Sequence, residues 1–227
     1  MNLAVLFSGG KDSTYAIYKA KLNANKIKCA LTIFPKSYES KFLHYPNIQI
    51  TKLQTTSMKI PHAFHQTNSD DVETETHDLE SLINQAKKDF DIEGVVHGGI
   101  LSEFQKNRFE TICDKLHLKM ISPLWRIDQK KYMKDLIDSK FKFIITSVTS
   151  AGLDDSWLGK EITTDDIDRL EELSKRYGFN LSFEGGEAET LVLNCPLFSS
   201  PLRIIKSEKI WDGYRGRFEI MEAILDK

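Results

Sequence analysis

Ser8-Gly9-Gly10-Lys11-Asp12-Ser13 combines residue types that suit anion chemistry. It follows an apolar run, Leu3 to Phe7, and opens a stretch of helical character that reaches about Leu22. Adjacent glycines let a backbone turn sharply and come close to an anion. The N-terminus of a helix adds unpaired N–H groups and a partial positive charge. Lys11 contributes a full charge, and the hydroxyls of Ser8 and Ser13 are further donors. Asp12 suits either a Mg²⁺ ion or a helix cap. Together these residues predict a phosphate-binding loop. The spacing of a Walker A loop is absent.

A second concentration of chemistry lies at Glu184-Gly185-Gly186-Glu187-Ala188-Glu189-Thr190, where three carboxylates surround two glycines. In a pocket such a group attracts a cation, an ammonium or a metal; on a surface it is an acidic turn. Between the two lies Gly98-Gly99, followed by Ser102-Glu103-Phe104-Gln105-Lys106-Asn107-Arg108. Ser102 and Gln105 have the spacing of a capping box. Arg108 either faces phosphates or pairs with a carboxylate. The run Gly152 to Gly159 sets Asp154 and Asp155 beside Trp157. It reads as a substrate loop or as a solvated turn with a hydrophobic plug.

These segments need a scaffold that brings them together. Continuous apolar runs at Leu3 to Phe7, Cys29 to Phe34 and Gly94 to Val96 suit parallel strands covered on both faces. Pro61 to Gln66 and Leu118 to Ile121 read as shorter strands. Helical spacing recurs at Leu79, Leu82, Ile83 and Ala86, and again at Phe109, Ile112, Cys113 and Leu116. The alternation predicts a doubly wound parallel α/β sheet over residues 1–125. Ligands of such sheets bind beyond the carboxyl ends of the strands. Gly99 and its neighbours sit at one such end, as does the loop at residues 8–13.

Past a boundary near Trp125 to Asp128 the pattern changes. A helix over Lys130 to Asp138, a strand over Phe141 to Val148, a helix over Asp165 to Tyr177 and strands at Leu202 to Lys206 and Arg217 to Ala223 predict a smaller α+β domain, residues 126–227. Residues 36–54 read as a lid-like or irregular segment, with a short helix near Thr55 to Lys59.

The chain has 227 residues, 41% hydrophobic and 28% charged, and a formal net charge of -2. That balance lacks the bulk basic excess of a general nucleic-acid binder. Three well-separated cysteines, Cys29, Cys113 and Cys195, predict free thiols rather than a disulfide framework. No apolar run is long enough for a membrane span, and the N-terminus lacks the pattern of a signal peptide. The expectation is a soluble, cytoplasmic protein.

The loop Ser8 to Ser13 resembles the PP-loop of ATP pyrophosphatases, a HUP-type group of adenine nucleotide alpha hydrolases. With Ser102 to Arg108, Pro123-Leu124-Trp125, Gly152 to Gly159 and Glu184 to Thr190 in this order, the whole chain resembles the diphthine–ammonia ligase family. That resemblance implies amidation of diphthine on translation elongation factor 2, using ATP, Mg²⁺ and ammonia. It implies an acyl-adenylate and release of pyrophosphate. The nucleotide would be held by Ser8, Gly9, Gly10, Lys11, Asp12, Ser13, Gly99 and Arg108, with Asp12 also toward Mg²⁺. Lys11, Asp12, Glu184, Glu187 and Glu189 would be catalytic. Ser102, Gln105, Asp154, Trp157, Gly185, Gly186, Glu187 and Thr190 would meet the substrate. The acidic loop would hold either ammonium or the trimethylammonium of diphthine, with Trp157 offering a cation–π face in the second case. The competing expectations are a PP-loop enzyme that modifies RNA and an ATP-binding sensor without turnover.

Overall fold

Leu3, Ala4 and Val5 are buried on both faces of β1 (Asn2–Leu6). In the computed structural model, which describes residues 1–36, 47–69 and 71–226, this strand is the centre of a five-stranded parallel sheet. Its partners are β2 (Lys26–Phe34), β3 (His62–Gln66), β4 (Gly94–Val96) and β5 (Lys119–Ile121), in the order β3-β2-β1-β4-β5. Side chains alternate across a strand. Leu3 and Val5 accordingly join one core with Ile17 and Leu124, and Ala4 joins another with Ile83 and Ile112. The helices α1 (Lys11–Leu22), α2 (Thr51–Met58), α3 (Val72–Phe90) and α4 (Glu103–Lys115) complete this half. The strand order reverses between β1 and β4, which opens a crevice beyond their carboxyl ends.

The remainder contains α5 (Gln129–Asp138), β6 (Lys142–Val148), α6 (Thr164–Tyr177), β7 (Ala188–Asn194), β8 (Leu202–Trp211) and β9 (Gly216–Leu225). Its sheet is antiparallel, in the order β7-β6-β9-β8. The expected α/β architecture with an additional antiparallel part is present. Strand β7 was not expected, and it begins inside the acidic motif and runs past it. Helix α2 starts at Thr51, ahead of the expected short helix. Of the expected lid-like segment, residues 37–46 lie outside the described residues. One hydrophobic cluster runs through both parts, from Val5 and Ile17 to Phe143, Ile145 and Trp157.

Helix α6 is fixed at its start by a reciprocal cap between Thr163 and Asp166 and at its end by Gly178 at φ +78°. It is tied to α5 by Glu171, which accepts from Lys130 at 2.6 Å and from Lys175 at 2.8 Å. Hydrogen bonds from Lys130 and then Lys175 hold the Glu171 carboxyl at about 2, below its ordinary 4.5. A depressed acid stabilises the fold above its ordinary value and loses that contribution as pH falls through the lowered one. Urea melts of Glu171→Gln should therefore show a deficit near neutrality that closes between about pH 4.5 and pH 2. A deficit that stays constant over that window would rule out a contribution from these ion pairs.

Cys29, Cys113 and Cys195 are free and buried, and burial pushes each thiol up to about 12. They remain protonated and unreactive near neutrality. Among the described residues, no helix is long and apolar enough to cross a membrane.

Candidate active site

The loop from Ser8 to Ser13 joins β1 to α1. Gly9 adopts φ +82°, a left-handed conformation that L side chains rarely take. Gly10 is the residue before the helix, and among the described residues no side chain caps that helix from the Gly10 position. Asp12 is therefore inside the first turn and free of a capping role. The Ser8 and Ser13 hydroxyls lie 3.2 Å apart. Strand β7 closes on the loop: Lys11 N–H donates to Thr190 Oγ1 at 3.1 Å, and Val192 N–H donates to the Gly9 carbonyl at 3.1 Å.

Lys11 is 1% exposed. Its ammonium lies 3.0 Å from both Asp12 oxygens, donates to the Ser182 carbonyl at 2.6 Å and sits 5.4 Å from the Phe183 ring centre. The lysine charge is thus matched directly by its neighbour. Tyr132, fully buried on α5, donates its hydroxyl to Asp12 Oδ1 at 2.7 Å. Burial first, then the Asp12 charge, raises this phenol well above its ordinary value, so it stays a donor. Asp12 keeps 30% of its side chain exposed and faces a cavity.

That cavity is walled by both halves of the chain. Ser8, Gly10, Asp12 and Ser13 form one side, with Gly98, Gly99 and Gln105 beside them. Glu184, Gly186, Glu189 and Thr190 line it from the second half of the chain. Leu31, Ile33 and Ile48 make an apolar wall. Gly98 packs on the first turn of α1 so closely that a Cβ there would lie 2.8 Å from the Ser13 nitrogen.

The three glutamates do different things. Glu184 Oε1 accepts from the backbone N–H groups of Ile100 at 2.8 Å, Leu101 at 3.1 Å and Ser102 at 3.3 Å. It joins the acidic loop to the start of α4. Glu187 is turned into its own loop, accepting from Asn180 N–H and Nδ2 at 2.8 Å and from Gly185 N–H at 2.7 Å. Glu189 lines the cavity from β7, opposite Ser147 in the strand register.

Other residues singled out in the sequence lie elsewhere. Ser102 caps α4 by accepting from Gln105 N–H at 3.4 Å. Arg108 pairs with Glu73 at 2.8 Å and stacks on Phe104 at 4.7 Å. Asp154 caps the short turn Asp155–Trp157. Trp157 is 1% exposed, and its ring is already faced by Lys160 at 5.1 Å and Arg169 at 5.0 Å. Gly9, Lys11, Gly185 and Glu187 support the loops without lining the cavity. Sequence reasoning missed Gln54, Tyr132 and the close approach of Gly98. Only the last had a signal, as a glycine at the end of a buried strand.

Among the described residues, no group of three or more His, Cys, Asp or Glu side chains is placed to hold a metal ion. Asp12 presents one carboxylate to the cavity, which fits Mg²⁺, an ion that commonly binds one or two carboxylates together with substrate phosphates and water.

Residues 1–120 match the family profile described as "Diphthamide synthase N-terminal domain", and residues 128–225 match "Diphthamide synthase C-terminal domain". The chain is 33% identical to the diphthine–ammonia ligase of Mus musculus, over 92% of this chain and 85% of that one. It is 31% identical to the diphthine–ammonia ligase of Homo sapiens, with the same coverage of 92% and 85%. Among solved structures it is similar to a predicted subunit of tRNA methyltransferase from Methanocaldococcus jannaschii, at 14% identity and TM-score 0.45 over 86% of this chain and 98% of that one. On these matches along nearly its whole length, the chain belongs to the diphthamide synthase family.

Proposed function

We propose that this protein is an ATP-dependent ligase that amidates diphthine on translation elongation factor 2 with ammonia, giving diphthamide, AMP and pyrophosphate. The observation that carries this reading is the shared cavity. A helix start with two serines and Asp12 lines one cavity together with Glu184, Glu189 and Thr190. Residues 1–125 would hold the nucleotide and residues 126–227 the diphthine, with the reaction in the cytoplasm.

A carboxylate is a poor electrophile because its oxygen leaves badly. In the first step the diphthine carboxylate attacks the α-phosphorus, the bond to the bridging oxygen breaks, and pyrophosphate departs toward Ser8, Gly10 and Ser13. Donors fixed around that charge before the step would need no rearrangement during it. Asp12 would hold Mg²⁺, which supplies charge neutralisation on the phosphates. Tyr132 and Lys11 keep the Asp12 carboxylate in place. The apolar wall of Leu31, Ile33 and Ile48 suits a purine face.

In the second step ammonia attacks the acyl carbon, AMP leaves, and the nitrogen loses a proton. Glu189 faces the cavity and is assigned as the acceptor of that proton. Glu184 orients the backbone at residues 100–102. The packing of Trp157 favours the ammonium role of the acidic loop over a tryptophan-assisted grip on trimethylammonium.

The test is pyrophosphate release from ATP, Mg²⁺ and ammonium, with and without diphthine-bearing elongation factor 2. Release that requires the factor, with a mass change matching amide formation, is expected. Glu189→Gln should retain pyrophosphate release and lose most of the amide product. Release that ignores the factor would overturn the substrate assignment. Full amidation by Glu189→Gln would remove Glu189 from the mechanism.

A further inference from the structure

We propose that Gln54 is a positioning residue that sets the direction of the Gly9–Gly10 peptide and thereby the affinity for phosphates. This rests on reading residues 8–13 as the phosphate loop. Gln54 lies on α2 and is 0% exposed. It does not line the cavity. Its Nε2 donates to the Gly9 carbonyl and to the Val192 carbonyl, each at 2.8 Å. Both neighbours are carbonyl oxygens, so the nitrogen must face them, and both of its hydrogens are used.

The Gly9 carbonyl therefore receives two donors, Gln54 Nε2 and Val192 N–H. In a trans peptide the C=O and the following N–H point in opposite directions. The described residues include no cis peptide bond. Holding the Gly9 carbonyl toward α2 and β7 turns the Gly10 N–H to the other side, and Gly10 lines the cavity. A Gly-Gly peptide can rotate at little steric cost, which is the weakness of the sequence that lets it approach an anion. Gln54 removes that freedom from behind the loop.

The rest of the side chain argues for a role beyond filling space. Gln54 Oε1 is buried and has no hydrogen-bond partner among the described residues. An apolar side chain of the same length would occupy the site without that unsatisfied oxygen. The oxygen also occupies the space beside Gly9, where a Cβ would lie 2.3 Å from it.

The experiment compares the parent chain with Gln54→Met and Gln54→Glu by calorimetry, titrating ATP, pyrophosphate and adenosine without any protein substrate. Gln54→Met keeps the length of the side chain and loses both donors. It should weaken ATP and pyrophosphate binding by about tenfold or more and leave adenosine, which has no phosphate, unchanged. Gln54→Glu sets a carboxylate against two carbonyls when ionised and regains one donor when protonated. Burial favours the protonated form. Its ATP affinity should therefore recover toward that of the parent as pH falls from about 8 to about 6, with no such recovery for Gln54→Met. Parental affinity for ATP and pyrophosphate in Gln54→Met would overturn the inference. So would equal losses for ATP and adenosine, which would reduce Gln54 to support of the core. If the parent itself bound neither ATP nor pyrophosphate, the phosphate-loop reading would fall first, a separate result.

Discussion

Gly98→Ala should lower ATP-dependent pyrophosphate release by about 100-fold while both sheets still form. The added Cβ would lie 2.8 Å from the Ser13 nitrogen and 2.9 Å from the Asp12 carbonyl carbon and the Ser13 Cα. These are backbone atoms in the first turn of α1, and no rotamer change moves them aside. The helix start must shift, and Asp12 and Ser13 shift with it. Phosphoryl chemistry depends on alignment, so a displacement of about an ångström is enough for a loss of this size. Overpacking of this kind also costs stability, on the order of 1–3 kcal/mol. Steady-state kinetics with a thermal melt separate the two effects. Kinetics equal to the parent's would mean that the contact between Gly98 and α1 does not set the site.

Asp12→Asn should produce the largest stability loss of any single substitution in the loop, together with loss of turnover. Lys11 is buried, and Asp12 supplies its counter-charge at 3.0 Å. Breaking a buried pair from one side leaves an uncompensated charge, at a cost of about 3–5 kcal/mol. The lower end applies because Asp12 retains 30% exposure and the Ser182 carbonyl still accepts from Lys11. Adding Lys11→Met to Asp12→Asn removes the stranded charge, so the double variant should regain much of the stability and none of the turnover. Chemical denaturation of the three variants and the parent gives the coupling directly. If the double variant were less stable than Asp12→Asn alone, the stranded charge would not be the cause.

Much of this site could be read from residue order, because its local parts are local in origin. A glycine pair after a buried strand and before a helix is visible in any sequence, and so is the apolar run at Leu3 to Val5. The cap at Ser102 was legible for the same reason: donor and acceptor are three residues apart. What escaped reading depends on contacts between distant segments. Strand β7 contains Leu191, Val192 and Leu193, yet its start lies inside the acidic motif, whose carboxylates dominate the pattern and hide the strand. Gln54 is an ordinary polar residue on a short helix until β7 and the glycine loop come up against it. Tyr132 becomes an Asp12 ligand only through the packing of α5. Trp157 carried a genuine ambiguity between a substrate face and a plug, and burial among Lys160 and Arg169 gives it the second position. For Glu187 the sequence offered only a carboxylate in a glycine-rich turn; its partners were settled by how that turn closes on itself.

The contact between Lys11 and Thr190 spans 179 residues. A ribosome adds about 5–20 residues each second, so the glycine loop of a growing chain waits roughly 10–35 seconds for the strand that clamps it. Through that interval the N-terminal segment has its two glycines without the β7 contacts that hold them, the Val192 N–H on the Gly9 carbonyl and the Thr190 hydroxyl on the Lys11 N–H. The strand that completes the loop also carries Glu189 into the cavity. A half-made chain thus lacks the clamp on the glycine loop and the acidic lining of the cavity together, and both arrive in the same stretch of synthesis.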